Sequence, residues 1–173
     1  AKALRTVNQK NCDPKCCAWV CNSLITAPLE NHISKAQRGF MRNRQFVHNV
    51  VEIDAEARRC DMLGEMYPDN LGAIIPLDLE NAFPRLSQEF LFLVAEEAEM
   101  EQGILSVVEG CYAQALAFAT MGSVKNAFLF RLTCGIMQGC PLSGSMFAFA
   151  FDPFLVDLQR SIDEKELGMT RAC

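Results

Sequence analysis

The sequence has little positive charge and lacks the marks of a secreted or membrane-spanning protein. Its 16 Lys and Arg are outnumbered by 21 Asp and Glu, which gives a net charge of −5. Charge alone therefore argues against a nucleic-acid-binding protein. No secretory signal is visible and the cysteine count of nine is odd, so we expect a reducing, intracellular compartment rather than a disulfide framework. The longest uncharged run, residues 132–151, is interrupted by glycine, proline and glutamine, which argues against a membrane span and a membrane partner.

The residues that are present predict one ordinary folded domain or a piece of a larger one. Half of the 173 residues are hydrophobic, which is enough for a core. The chain begins at Ala1 rather than Met, so we interpret it as a fragment. Its charge is uneven, because residues 35–44 contain four basic side chains and no acid, whereas residues 96–101 contain four glutamates.

Hydrophobic periodicity predicts mainly helices with a few strands. Helices are expected within residues 1–30, where Pro28 would end the helix, over 46–66, from Ser87 to about 100, and from 104 onward. Residues 73–79 are predicted to form a buried strand, and residues 117–121 and 127–133 to form a hairpin. A last helix, over 143–160, should turn one face inward, and that face carries Phe147, Phe151, Phe154, Leu155 and Leu158. The order predicts an α+β fold.

A carboxylate, Asp78, ends the predicted apolar strand, and an alanine and an aromatic follow as Ala82 and Phe83. A strand end is a rigid place from which a carboxylate can reach both solvent and a metal ion. Two-metal phosphoryl transfer uses such oxygen ligands, with the ions about 3.5–4 Å apart, and Mg²⁺ suits carboxylates together with substrate phosphates. The alternative is an aspartate that begins a turn or caps the next helix.

A glycine-punctuated turn precedes the last helix. Glycines let a backbone approach a bound molecule closely, and a glutamine offers both a donor and an acceptor. The alternative is a plain loop at the start of a helix, where early proline and serine are common. The turn runs through Gly135, Ile136, Met137, Gln138, Gly139, Cys140, Pro141, Leu142 and Ser143.

These two motifs, in this order, resemble core motifs of reverse transcriptases of non-LTR (LINE-type) retrotransposons, over about residues 30–160. The resemblance implies that Asp78 is a metal ligand, assisted by the main-chain oxygen of Leu79, in a site for two Mg²⁺ ions. It implies that Phe83 is a steric gate against the 2′-hydroxyl, although core packing is the alternative. Gln138 and Gly139 would contact the incoming nucleotide, and Pro141 and Ser143 would shape the turn.

The basic segment resembles the fingers motif of the same enzymes, over Gln37, Arg38, Gly39, Phe40, Met41, Arg42, Asn43 and Arg44. Guanidinium groups bind phosphates in a bidentate manner. The resemblance therefore assigns Arg42 or Arg44 to the triphosphate or to the template backbone. The alternative is a solvated run of charge.

The implied fold is a right-hand polymerase fragment, with fingers over residues 1–72 and part of the palm over 73–173. The implied activity of the parent protein is RNA-templated DNA synthesis by two-metal nucleotidyl transfer, with an RNA template, a DNA primer and deoxynucleoside triphosphates as partners. Nuclear residence is implied by the resemblance alone.

The sequence departs from the family at several points. Pro84 replaces the usual Asp, Pro76 interrupts the predicted strand, and no Asp-Asp motif is present. We therefore expect the chain to be inactive alone. The alternatives are an RNA-dependent RNA polymerase, a decayed retroelement product that folds or binds nucleic acid weakly, and an unrelated α+β enzyme.

A cluster of cysteines lies near the start of the chain, at positions 12, 16, 17 and 21. Its two pairs abut, whereas zinc ligand pairs are usually separated by a longer loop. We therefore expect structural thiols in a helix rather than a zinc site.

Overall fold

The computed structural model describes residues 12–66, 74–113 and 115–164. Within these ranges the chain is mostly helical, and its one sheet has two strands. The elements in chain order are α1 (Cys12–His32), α2 (Val47–Met66), α3 (Ala82–Arg85), α4 (Gln88–Glu97), α5 (Gln102–Tyr112), β1 (Leu116–Met121), β2 (Val124–Arg131) and α6 (Ser143–Glu164). The predicted helices over 46–66 and 143–160 and the helix that follows Ser87 are confirmed, as is the helix that contains Ile104.

Helix α4 begins where its capping residue predicts. The Ser87 hydroxyl accepts a hydrogen bond from the backbone N–H of Phe90, at 3.2 Å. This bond satisfies one of the N–H groups that a first helical turn leaves without a partner. Glu89 lies in that same turn, where its negative charge is favourable near the positive end of the helix dipole. The start of α4 is thus determined locally, by the sequence at its N-terminus.

Strands β1 and β2 form an antiparallel hairpin, as predicted, with Leu116 opposite Arg131 and Ala119 opposite Ala127. The tight turn between the strands contains Gly122 at φ 57°, a left-handed conformation that glycine adopts without strain. The register shifts at two places along the ladder, so the hairpin is irregular. β2 begins three residues earlier than predicted and ends two residues earlier, because the ladder continues to the turn itself.

The hydrophobic core lies where four helices meet. Helix α6 packs against α1 and α4, and α5 packs against α4 and α1. The largest fully buried side chains of this core are Ile25, Leu91, Val108, Leu142 and Met146. The core is therefore continuous across residue 72, where the fingers-like and palm-like parts were predicted to meet; that division and the polymerase fold stay predictions.

Three sequence-based expectations about the elements are wrong. Pro28 does not end the first helix, which continues to His32. Residues 74–79 form no strand and are exposed, with Leu77 79% exposed. A strand needs a neighbour for its backbone hydrogen bonds, and both described strands pair with each other, while Pro76 lacks an N–H to offer. Phe154 points outward from α6, since it is 53% exposed.

Two further expectations concern the first part of the chain and membrane insertion. Residues 1–11 of the predicted first helix and Ala73 of the predicted strand lie outside the described residues. The apolar patch expected on the first helix is split, because Ile25 is buried whereas Trp19, Val20 and Leu24 are exposed. None of the helices described here combines the length and apolar character needed to cross a bilayer.

Candidate nucleotide-binding site

The glycine turn is bonded to the segment that follows Asp78. Gly135 donates its N–H to the carbonyl of Leu86 at 2.8 Å, and Ile136 donates to the carbonyl of Phe83 at 2.9 Å. The Gln88 side chain in turn donates to the carbonyl of Gly135, at 2.9 Å. Backbone bonds of this kind fix the relative position of two loops that are far apart in sequence. The two predicted motifs therefore meet in the folded chain.

Gly135 is required at this contact for two reasons. Its φ of 81° lies in the left-handed region that favours glycine. A Cβ atom at this position would lie 2.5 Å from the carbonyl oxygen of Pro84 and 2.8 Å from its carbonyl carbon. Both are backbone atoms, which cannot rotate away as the end of a side chain can. The close approach of the two loops thus depends on the absence of a side chain.

The Phe83 ring lies between two other aromatic rings. Its centroid is 5.7 Å from that of Phe40 and 5.0 Å from that of Phe147, the latter in an edge-to-face arrangement. Phe83 is half-buried and packs against the core. The partly exposed ring is compatible with a role as a gate, and its two aromatic contacts are compatible with packing. The gate stays a prediction.

The third segment that reaches this place is the basic loop between α1 and α2. Phe40 packs so closely on Gly144 that a Cβ there would lie 2.6 Å from the Phe40 Cδ1 atom. Phe40 itself has φ 60°, which is unusual for a bulky residue and indicates that its surroundings hold it. The basic loop, the segment around Phe83 and the start of α6 therefore converge.

Gln138 and Gly139 lie at the outer side of the glycine turn. Their neighbours Ile136, Met137 and Cys140 are buried in the core and hold the turn in place. Gln138 is half-buried, and Gly139 is exposed with φ 81°. This alternation presents the amide side chain and a bare stretch of backbone at the surface, next to an anchored turn. Contact of these two residues with a nucleotide stays a prediction.

The start of α6 is anchored by a buried hydroxyl pair. The Tyr112 and Ser143 hydroxyls lie 3.4 Å apart, and both residues are buried. Burial raises the pKa of Tyr112 to about 12, because the ionised phenol would lose its water, and the Ser143 hydrogen bond opposes this only in part. Ser143, predicted to shape the turn, therefore lies inside the core, where its hydroxyl group helps to anchor the end of the turn.

Asp78 and Leu79 lie on the exposed segment that precedes α3. Both are solvent-exposed, and in the described chain the Asp78 carboxylate has no ion pair or hydrogen bond. No group of three or more His, Cys, Asp or Glu that could hold a metal ion is found among the described residues. One carboxylate and one carbonyl oxygen do not make a site for two Mg²⁺ ions. The metal role of both residues stays a prediction.

Arg44 has a structural task that the sequence did not reveal. Its guanidinium donates to four carbonyl oxygens at and beyond the end of α1, those of Glu30, Ile33, Ser34 and Gln37. The last carbonyls of a helix lack partners within the helix, and a cation there is favourable to the helix dipole. These bonds use four of the five N–H donors of the guanidinium, which argues against the assignment of Arg44 to a phosphate.

The other two arginines of the basic loop differ in whether their guanidinium groups have structural partners. Arg38 forms an ion pair with Glu52 and donates to Asn49 at 2.6 Å, which attaches the loop to α2. Arg42 is exposed, and its guanidinium has no ion-pair or hydrogen-bond partner within the described ranges. Arg42 is therefore the better of the two arginines proposed for phosphate binding.

Sequence reasoning missed one residue that positions the basic loop. Asp152 on α6 is 5% exposed, and its carboxylate accepts from the backbone N–H of Ser34 at 3.0 Å and from the Ser34 hydroxyl at 2.6 Å. A buried charge is stable only when it is hydrogen-bonded. Asp152 shares the inward face of α6 with Phe149 and Leu155. An acidic residue on an otherwise apolar helix face is visible in the sequence and could have identified Asp152 as a buried, hydrogen-bonded carboxylate.

The cysteine cluster lies on α1, as predicted. Cys12, Cys16 and Cys17 are exposed and Cys21 is half-buried. The expectation that these are thiols within a helix agrees with this position. Their exposure, however, shows that three of the four contribute little to the core.

Comparison with known proteins gives a partial similarity. No protein-family model matches the chain. Over 90 residues, which is 52% of this chain, it is 29% identical to the Transposon TX1 uncharacterized 149 kDa protein of Xenopus laevis. The matched region spans only 7% of that protein's length. The similarity is consistent with a retroelement origin of the chain.

Proposed function

We propose that this chain is part of a retroelement-encoded polymerase whose parent protein copies RNA into DNA. The observation that carries the proposal is the convergence on Phe83 of three segments that sequence resemblance had assigned to one active site. The glycine turn bonds to the backbone of Phe83 and Leu86, and Phe40 contacts both Phe83 and Gly144. The similarity to a transposon-encoded protein supports the same origin.

The described side chains suit the binding and selection of a nucleotide. Gln138 and the backbone at Gly139 lie on an anchored turn, where they could contact a base pair or sugar at little cost in reorganisation. Phe83 would present its ring beneath the sugar, and a flat ring there leaves no room for a 2′-hydroxyl. Arg42 supplies a guanidinium for phosphate oxygens, since none of the described residues pairs with it.

The described residues do not form a complete metal site. Asp78, with the carbonyl of Leu79, would be part of a Mg²⁺ site, and the remaining carboxylates would have to come from elsewhere in the parent protein. We therefore propose that these 173 residues alone do not incorporate nucleotides. Nucleotide incorporation by the isolated chain in a primer-extension assay would contradict this statement.

Primer extension by the full-length parent on an RNA template tests the proposal. Asp78→Ala should abolish synthesis because it removes a metal ligand, whereas Asp157→Ala, at an exposed position on α6, should retain it. Retention of synthesis in Asp78→Ala would remove Asp78 from the mechanism. Phe83→Val should raise incorporation of ribonucleotides relative to deoxynucleotides. A wild-type preference for ribonucleotides would favour the RNA-dependent RNA polymerase instead.

A second candidate is a decayed retroelement product that folds or binds nucleic acid weakly. The observation that favours it is the exposed, irregular segment 74–79, in which Pro76 interrupts the expected strand and Asp78 has no partner in the described structure. The coding sequence after Cys173 separates the two candidates. An Asp-Asp motif soon after this residue favours the polymerase, and a stop codon favours the decayed product.

A further inference from the structure

One stretch of the chain exposes apolar side chains on a backbone whose N–H groups have no partner. Residues 74–79, which we call the open segment, form neither helix nor strand, and none of their N–H groups donates a hydrogen bond within the described structure. Its exposed apolar side chains are Ile74, Ile75, Leu77 and Leu79. Removal of apolar surface from water drives most protein association, so the open segment is a candidate contact surface.

The hairpin of β1 and β2 is a second feature without a partner. Among the described residues its strands pair only with each other, so each strand has an outer edge that is open to a further strand. Phe118 and Phe128 pack edge-to-face across the ladder at 5.9 Å, and both are more than half exposed, as is Phe130. An exposed apolar edge of this kind is where a strand from another chain adds to a sheet.

The proline of the open segment indicates how that segment can pair. Pro76 has no N–H, so a strand that contains it is tolerated at the edge of a sheet, with this position turned outward. Since alternate residues of a strand turn toward its neighbour, Ile75, Leu77 and Leu79 would then bond to the sheet. Their side chains share one face, and Asp78 lies on the other. The segment therefore has the pattern of an added edge strand.

Charge indicates which edges can meet. Residues 74–80 contain two acidic side chains and no base, whereas residues 116–131 contain two basic side chains and no acid. Two hairpins placed edge to edge would bring only basic residues together, and two open segments would bring only acidic ones together. Like charges across a contact are unfavourable. The complementary pair is thus one open segment and one hairpin edge.

From these observations we infer that two copies of this chain associate, with the open segment of each added as a third strand to the outer edge of β2 in the other. β2 is the longer strand of the hairpin, with 8 residues, and it carries both basic residues. Within one copy the open segment forms no hydrogen bond with the hairpin in the part of the chain described. A reciprocal exchange about a two-fold axis uses both segments and both edges, so the dimer closes.

Sedimentation velocity of the 173-residue protein over a range of concentrations tests the inference, with a reductant present so that none of the nine cysteines links the copies. We expect a monomer–dimer equilibrium that weakens as NaCl is added, because salt screens the complementary charges. Hydrogen exchange should be slower at high than at low protein concentration in both the open segment and β2, where N–H groups become bonded. Because no template, nucleotide or metal is present, failure here is separate from failure of the polymerase proposal.

Two adjacent isoleucines provide a matched pair of variants. Ile75→Pro removes an N–H that bonds to the sheet in both halves of the dimer, so it should raise the dimer Kd about tenfold or more. Ile74→Pro removes an N–H that points outward, so it should leave the Kd within about twofold of the wild type. The two side chains are 66% and 63% exposed and lie outside any helix or strand. Both variants should therefore fold, and far-UV circular dichroism checks this.

Several results would overturn the inference. One is a monomer at every concentration up to the limit of solubility. Another is equal weakening of the dimer by Ile74→Pro and Ile75→Pro, which would show that the open segment does not pair as a strand. Association that strengthens with NaCl would show that the two surfaces are not complementary in charge. Slower exchange in only one of the open segment and β2, or growth into an open series of oligomers, would reject reciprocal pairing.

Discussion

Replacement of Gly135 by alanine tests the contact that joins the two loops of the candidate site. Left-handed backbone costs a residue with a Cβ about 1–2 kcal/mol, and Gly135 has φ 81°. The new methyl group would also lie 2.5 Å from the Pro84 carbonyl oxygen, so the loops must separate. That separation weakens two backbone hydrogen bonds, from Gly135 and from Ile136, each with a net value of about 1 kcal/mol. We expect a total loss of about 3–4 kcal/mol in the free energy of unfolding.

Two other glycines of the chain provide matched controls for Gly135→Ala. Gly122 also has positive φ, 57°, but a Cβ there would meet no atom within 4 Å, so alanine should cost only the backbone term of about 1–2 kcal/mol. Gly110 lies within α5 without positive φ and without a neighbour within 4 Å, so alanine should stabilise the protein by about 0.5–1 kcal/mol. The three substitutions add the same methyl group in three different surroundings.

Urea denaturation followed by far-UV circular dichroism measures the three differences. A loss of 3 kcal/mol moves the midpoint by about 1–3 M for a small protein. The order of stability should be Gly110→Ala, wild type, Gly122→Ala and then Gly135→Ala. If Gly135→Ala lost no more stability than Gly122→Ala, the close approach to Pro84 would be wrong. The reasoning that places Phe83 beside the glycine turn would then fail with it.

Three further predictions concern the polar contacts that position the basic loop. Arg44→Gln should lower the free energy of unfolding by about 2–3 kcal/mol, because carbonyls at the end of α1 lose charged donors; equal midpoints in urea for the variant and the wild type would contradict the capping role. Asp152→Asn should lower the free energy of unfolding by about 1–3 kcal/mol in the same assay, since the neutral amide accepts the two Ser34 hydrogen bonds less strongly. Ser34→Ala should then lower the free energy of unfolding less in the Asp152→Asn background than in the wild type. The hydrogen bond from Arg38 lowers the pKa of Glu52 below the usual glutamate value of about 4.5. The Arg38–Glu52 pair therefore stabilises the folded protein fully above pH 4.5, and this stabilisation is lost as the pH falls through the lowered pKa. The difference in urea midpoint between Glu52→Gln and the wild type should therefore become smaller from pH 6 toward pH 3, which is roughly the range over which such a carboxylate protonates. A difference that stays constant over this range would refute the pairing.

Sequence reasoning located most elements because local features determine them. Ser87 begins α4 by capping it, and the helical spacing of apolar residues is sufficient to predict α2, α5 and α6. The hairpin follows from two short runs of β-forming residues around Gly122. Such features act over a few residues, so they can be recognised without knowledge of the rest of the fold.

The errors arose where distant contacts outweigh a local rule. Pro28 lacks an N–H, but α1 continues past it because Ile25, Leu29 and Ile33 on either side are buried in the core. Residues 74–79 have an apolar composition typical of a strand, but a strand forms only where a partner strand lies alongside it. Composition reveals an apolar segment but not its neighbour.

The candidate site was predicted as a set of residues but not as an arrangement. The sequence by itself determined the helices and the hairpin, because these depend on residue type and short spacing, and its resemblance to reverse transcriptases gave Phe83, Gln138 and Arg42 as candidates. Only the tertiary structure decided that Phe40 packs between Phe83 and Gly144, and that Arg44 caps a helix. The physical reason is that such contacts join residues far apart in sequence, and their geometry is decided by the packing of the whole core.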